Sequence, residues 1–347
     1  MRVLVIGGTG FIGKHVAQRL IEAGHAVTVF HRGQTGADLP AEVNHIFGER
    51  SDLASFSPEF RDLEPDVALD MICYTGQESL ALVSALQSAC KRLVVASSMD
   101  VYRNYGRLLG LEQGPPDSPP MDEDSPLRES RYPHRAISKS PRDFAATYDK
   151  IPVERTVSEA AMLQATILRL PAVYGPGDKY HRTFEYLKRM DDGREKIILE
   201  ETRARWLWTR GYVENVADAI ALAVTDERAA SRVFNVGEPD ALSEADWVRS
   251  IGQAANWRGE VAALPREKMP AHLVAPYRFE HHLHCDTSRI RRELNYSERV
   301  PREEAMRRTI DWERSHPPDE IDMSGFDYAA EDAAQADLTD SRGFLPT

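Results

Sequence analysis

The chain has 347 residues, 42% of them hydrophobic and 28% charged, a globular composition long enough for roughly two domains. Its net charge of −12 is the wrong sign for a surface that neutralises nucleic-acid phosphates, and no apolar run approaches the ~20 residues of a membrane span. Met1 opens directly on a strand-like run without the regions of a secretory signal, and Cys73, Cys90 and Cys285 show no paired spacing. A cytoplasmic protein without membrane or nucleic-acid partners is expected.

In chain order, Arg2–Ile6 is a short apolar β-branched run, Phe11–Ala23 has helical spacing, and Ala26–Phe30 is a second strand after Gly24. Val43–Phe47, Val67–Ile72 and Leu93–Ala96 repeat the strand pattern, with a helical segment near Ser79–Ser88. Strands separated by helices imply parallel βαβ units. Residues 103–139 break the rhythm with six prolines and several acids, and read as a long excursion or lid. Ser140-Pro141-Arg142-Asp143 then resembles a helix start, with Pro152 kinking or restarting the helix that carries Val153 and Val157.

Thr166–Leu170 and Arg232–Val236 are further strands, and Val213–Ala223 is a helix. Residues 1–175 with 212–239 therefore read as one nucleotide-binding domain, and 176–211 with 240–316 as a smaller C-terminal substrate lobe. Residues 317–347 hold eight acids against one base, Arg342, so seven of the net negative charges sit in an acidic tail. A solvated appendage is the simpler expectation; a strap anchored by Phe326, Tyr328 and Phe344 is the other.

The most informative stretch runs from Arg2 to Gly13. It places Gly7, Gly10 and Gly13 between a predicted strand and a predicted helix, with Gly8, Thr9, Phe11 and Ile12 between them. A turn without side chains lets the backbone approach a pyrophosphate, whose charge meets the free amides of the helix N-terminus. The fold class is therefore α/β, a Rossmann-type doubly wound parallel sheet. The plain alternative is a tight strand–helix turn that binds nothing.

The second strand ends at His31-Arg32-Gly33, with no acid there to accept from an adenine-ribose hydroxyl. Arg32 instead suits a 2′-phosphate, so NADP is preferred and NAD is the second choice; an exposed surface arginine is the alternative. Asp52, followed by Leu53, is placed either against the adenine amino group or as a helix N-cap.

Together these segments resemble the short-chain dehydrogenase/reductase superfamily, in particular its extended and atypical members, the NAD-dependent epimerases/dehydratases. Gly7–Gly13 looks like the N-terminal turn, and Val94–Tyr102 like the fifth strand with its catalytic serine segment. Leu168–Asp178, Gly211–Ile220 and Phe234–Gly237 are similar to later family segments. The resemblance implies a cofactor site that also includes Met71, Ile72, Ser97 and Pro171. It implies Ser98 and Tyr148 as catalytic groups, and a homodimer built from helices near Ser79–Ser88 and Val153–Leu163. In the family a lysine four residues after the tyrosine lowers its pKa and holds the nicotinamide ribose.

Here that position is Pro152, and no tyrosine in the chain has a lysine four residues on. On one continuous helix, Lys150 at two residues lies roughly 200° from Tyr148 and points away. Lys139 and Arg135 are other candidates. Without a cation, a tyrosine keeps a pKa near about 10 and is a poor base.

Three other stretches stand out. His281-His282-Leu283-His284-Cys285 has good zinc ligands, but its spacing does not make a closed site and no metal is expected; Asp286-Thr287-Ser288 reads as a helix cap. Trp206 and Trp208, beside Arg203, Arg205 and Arg210, suit a phosphate or sugar face, or the buried side of an alternating strand. Arg107, Arg128, Arg131 and Arg135 face either an anionic substrate or solvent. Two functions remain. One is an NAD(P)-dependent oxidoreductase or epimerase/dehydratase-like enzyme acting on a small carbonyl or hydroxyl compound such as a nucleotide sugar. The other is a cofactor-binding sensor or scaffold that has lost the catalytic lysine.

Overall fold

A computed structural model describes residues 1–34, 39–140 and 143–341, with side chains to 336. Its centre is a seven-stranded sheet of β1 (Arg2–Ile6), β2 (Ala26–His31), β3 (Asn44–Phe47), β4 (Val67–Asp70), β5 (Arg92–Ser98), β6 (Gln164–Leu170) and a last strand, Val233–Asn235. The spatial order is Val233–Asn235, β6, β5, β4, β1, β2, β3, with every neighbouring pair parallel. This is the doubly wound arrangement the glycine turn implied. The order reverses at β1, so a crevice opens where β1 and β4 end.

Both sheet faces are covered, which is why the strands are apolar runs rather than alternating patterns. Val3 and Val5 pack towards Val16, Leu20 and Ile220, while Leu4 and Ile6 pack towards Phe30, Phe60 and Leu82. The first cluster continues without a break into the second lobe, through Tyr174, Tyr186 and Trp247. That lobe is built from short strand pairs, including Lys196–Glu200 with Glu260–Leu264, and from the helices Phe184–Asp191, Glu244–Ala254 and Arg302–Ser315.

Two strands end two residues away from the sequence reading. β4 stops at Asp70 because that carboxylate accepts the Ile72 amide (2.9 Å) and both terminal nitrogens of Arg50, turning the chain out of the sheet. β5 runs on to Ser98, paired with Leu170.

The 103–139 segment is pinned rather than loose. It contains a helix, Arg103–Leu108, and Met121 exchanges backbone hydrogen bonds with the 284–286 segment. The solvated-appendage reading of the tail is overturned as well. Glu331 is fully buried, paired with Arg189 at 2.8 Å and 3.2 Å from His272, and the Tyr328 hydroxyl donates to Asp192. Arg342 and Phe344 lie outside the described residues, as do Pro141 and Arg142 of the expected helix start.

Glu154 and Arg169 form a buried ion pair (2.8 Å) between the helix Lys150–Ser158 and β6. Glu154→Ala would strand the guanidinium, so the urea midpoint is expected to fall by the equivalent of about 3–5 kcal/mol. A loss below about 1 kcal/mol would show that Arg169 finds another partner.

Candidate active site

The turn after β1 has the shape a dinucleotide requires. Gly7 sits at φ +81°, donates to Phe30 O (3.1 Å) and lies directly beneath the Ile72 side chain. A Cβ on Gly13 would fall 2.9 Å from the backbone of Gly7 and Gly8, so only glycine lets the helix Gly13–Glu22 pack this close. A Cβ on Gly10 would meet nothing within 4 Å, which leaves open space beside the turn. The helix has Ile12 at its N-cap and therefore no capping side chain; the Lys14 and His15 amides donate to Gly10 O and Ile12 O, so an anion would be met by the amides that precede them. Thr9 lies in the turn, and Phe11 reaches under Gly177 of the loop that enters the second lobe.

The remaining expected cofactor residues divide. Arg32 is exposed just past β2, and Asp52 is exposed in the 3-10 helix Arg50–Phe56, where it accepts from Ser51. Asp52 is not an N-cap; Glu49 holds that position. Met71 and Ile72 follow the end of β4. Pro171 fills the space beside Gly211 and Gly237.

Two expectations fail for their side chains. Leu53 is fully buried in the core cluster with Phe30 and Phe60, and can offer a ligand only backbone. Ser97 faces inward and donates to Glu154 at 2.5 Å.

Ser98 ends β5, and its hydroxyl accepts the Asp100 amide at 3.2 Å. Tyr148 is brought alongside, and its hydroxyl donates to Asp100 Oδ2 at 2.6 Å. His134 Nε2, from the 103–139 segment, is 3.9 Å from the same oxygen, while Asp100 Oδ1 is buried with no hydrogen-bond partner. Burial raises the Asp100 carboxyl, but the His134 ring, the Arg128 charge and the Tyr148 hydroxyl outweigh it and hold the group below the usual carboxylate range. Tyr148 moves the other way. Burial and the Asp100 charge push it well above the ordinary tyrosine value, and only Ser98 opposes them.

Asp100 lies within the Val94–Tyr102 segment, for which the sequence assigned a role to the serine alone. The available signal was an acid two residues past a serine at the C-terminal end of a parallel strand. His134 and Arg128 carried no local signal. Arg128, read as solvated or substrate-facing, is buried and donates to Asp100 O (2.8 Å) and Asp149 (2.7 Å).

The continuous helix through Tyr148 does not exist. A short helix, Phe144–Thr147, is capped by Asp143 rather than Ser140, and Tyr148 ends it with extended backbone. Asp149 then caps a new helix, Lys150–Ser158, and Pro152 sits harmlessly in its first turn. The 200° argument therefore does not apply to Lys150. Its ammonium is buried at the C-terminal ends of β4 and β5, donating to Cys73 O (2.6 Å) and Ala96 O (2.7 Å), with the Tyr74 ring centroid 4.7 Å away. Arg135 instead lies 3.9 Å over the Tyr132 ring.

A cavity of about 680 Å³ opens on the lobe side, walled by Tyr105, Trp206, Trp208, Trp247, Tyr277 and Phe279. Tyr105 joins it to the Asp100 cluster, its ring 5.9 Å from that of His134. The tryptophans are not the buried side of one strand. Trp206 ends a short helix, and Trp208 lies in a two-residue strand paired with Leu242–Ser243. The wall arginines are ion-paired, Arg182 to Asp178, Arg203 to Glu185, and Arg210 to Glu244. In the 281–285 run, His282 Nδ1 accepts the Leu207 amide and Cys285 is buried; no metal-binding cluster occurs among the described residues.

The reversal of strand order, the bare glycine turn and the serine–tyrosine pair over β5 define a dinucleotide-binding enzyme fold with a second lobe. Residues 3–237 match the NAD dependent epimerase/dehydratase family, and the chain belongs to it. It is 24% identical to a UDP-N-acetyl-alpha-D-glucosaminuronate decarboxylase of Bacillus cytotoxicus, over 90% of this chain and 98% of that one. It is 27% identical to the 2'-dehydrokanamycin reductase of Streptomyces kanamyceticus, over 66% of this chain and 59% of that protein. Among solved structures it resembles the UDP-glucuronic acid 4-epimerase of Bacillus cereus in complex with UDP-glucuronic acid and NAD, with a TM-score of 0.65, 17% identity, and 91% of this chain and 99% of that one covered. No helix among the described residues is long and apolar enough to cross a membrane.

The second and third glycines should separate on substitution. Gly10→Ala is expected to keep the thermal midpoint while weakening nicotinamide dinucleotide binding about tenfold or more by fluorescence titration. Gly13→Ala should cost about 1–3 kcal/mol of stability, because the obstruction is backbone. Equal losses of stability in both would contradict the open space beside Gly10.

Proposed function

We propose that this protein is an NAD(P)-dependent oxidoreductase or epimerase/dehydratase acting on a hydroxyl or carbonyl of a small molecule. Nucleotide sugars are the reference class, because several relatives are named for them. The observation that carries the reading is the meeting of Ser98 and Tyr148 at the C-terminal end of β5, on the rim of the crevice that the glycine turn opens. Bound dinucleotide supplies or takes up a hydride.

The chain's own groups do the rest. Gly7, Gly10 and Gly13 let the backbone approach the pyrophosphate, and Ile72 walls the crevice over Gly7. Ser98 and Tyr148 hold the reacting oxygen, and the aromatic cavity takes the body of the substrate. Lys150 braces the floor of the site by tying Cys73 O to Ala96 O.

Arg32, exposed at the end of β2, favours NADP through its 2′-phosphate. Exposed Leu80, on the helix Gly76–Leu86, and exposed Met162, just beyond the helix Lys150–Ser158, support a homodimer through that pair of helices. Three buried, unpaired cysteines fit the cytoplasm.

Calorimetry with NADP and NAD, followed by turnover assays on sugar nucleotides and simple carbonyls, tests the reading; failure to bind either dinucleotide overturns it. Arg32→Ala should weaken NADP by about tenfold or more, the equivalent of one charge-assisted contact, and leave NAD within about twofold. Equal losses for both cofactors would remove Arg32 from selection.

A further inference from the structure

We propose that Asp100 is the terminal proton acceptor of this site, with the Tyr148 hydroxyl as a neutral relay between the substrate oxygen and the carboxylate. The inference rests on the proposed function and assigns a proton path within it. Three arrangements point to it. The Tyr148 proton is already directed at Asp100 Oδ2, 2.6 Å away, inside the protein. The lysine nearest in sequence, Lys150, is spent on two backbone carbonyls, so no ammonium donates to the phenol oxygen. Asp100 Oδ1 is a buried carboxylate oxygen with no hydrogen-bond donor, in a residue 8% exposed, and an unsatisfied buried acceptor of this kind calls for an explanation.

The surroundings fit an anion at residue 100 and not one at residue 148. Ser98, Tyr105, Arg128, His134, Tyr148 and Lys150 all act on this cluster, and Arg128, His134 and Lys150 favour a negative Asp100. A phenolate at Tyr148 would stand beside that carboxylate at hydrogen-bond distance, two like charges with nothing between them. A tyrosine that must ionise before it acts is thus disfavoured. One that passes a proton on never carries the charge.

In the oxidation direction the substrate O–H bond breaks and its proton goes to Tyr148 Oη. The original Tyr148 proton moves to Asp100 Oδ2, while the C–H bond on the carbon that bears this oxygen breaks and a bound nicotinamide dinucleotide would take up the hydride. In reduction every transfer reverses. His134, 3.9 Å from Oδ2, is the exit towards solvent.

The variants Asp100→Asn and Tyr148→Phe, each checked by near-ultraviolet circular dichroism, test the relay with two readouts. The first needs neither cofactor nor substrate. Tyrosine ionisation in the wild type, with Tyr148→Phe as the blank, should show that Tyr148 resists ionisation beyond the ordinary range near about 10, and in Asp100→Asn it should ionise at lower pH. Ionisation of Tyr148 below about 10 in the wild type, or no change in Asp100→Asn, overturns the proposal. The second is turnover with NADP. Asp100→Asn should lose about 10²–10⁴-fold in kcat with dinucleotide affinity kept within about twofold, because a proton acceptor has gone.

Unchanged or faster turnover in Asp100→Asn would mean that Tyr148 acts as the base itself, and overturns the relay. If Asp100→Asn does not fold, a proton inventory on the wild type decides. A curved dependence on deuterium fraction means two protons move together, as the relay requires; a linear one overturns it. A wild type that binds no dinucleotide defeats the proposed function instead, and the tyrosine titration then judges the Asp100–Tyr148 coupling alone.

Discussion

The site depends on one buried ion pair, Arg128 with Asp149. Both side chains are fully buried, 2.7 Å apart, and Arg131 joins the same carboxylate. The backbone amide of Asp149 donates to Tyr74 O while its carboxylate caps the helix that begins at Lys150. The pair therefore fixes the helix break that Pro152 already favours and sets the directions of the residues on either side. Tyr148 is turned to Asp100, and Lys150 is sent into the sheet. Removing one partner of such a pair costs about 3–5 kcal/mol.

This break redistributes the charge of the site. In the pattern the family resemblance implies, an ammonium beside a tyrosine makes a phenolate accessible. In this chain the position for that cation is Pro152, and the nearby ammonium is occupied with backbone carbonyls. The anion resides on a carboxylate supported by arginine and histidine, and the phenol is kept protonated. The same residue types remain around the crevice with their ionisation inverted, so loss of the tyrosine–lysine spacing is not by itself loss of proton-transfer capacity.

The fold was largely legible. Apolar β-branched runs separated by helical periodicity marked all seven strands of the sheet, because strands covered on both faces must be apolar along their whole length. Gly7, Gly10 and Gly13 were legible for a different reason: backbone that approaches other backbone or a ligand admits no side chain, and that demand is local. Boundaries were less clear where side chains set them. β4 ends early because Asp70 binds Arg50 and its own downstream amide. The tail looked solvated because Glu331 finds Arg189 and His272, which lie far from it along the chain.

The order of residues was sufficient to establish the alternating α/β pattern, the glycine turn between the first strand and helix, and the absence of a lysine four places after any tyrosine, since each follows from near neighbours in the chain. It was not sufficient to establish who neutralises whom. Arg128, His134, Tyr148 and Asp100 are spread over about fifty positions, and their ionisation follows from burial and from distances of a few ångströms that exist only after the 103–139 segment closes over β5. Charge in a low-dielectric interior is decided by spatial neighbours, and those are a property of the folded chain.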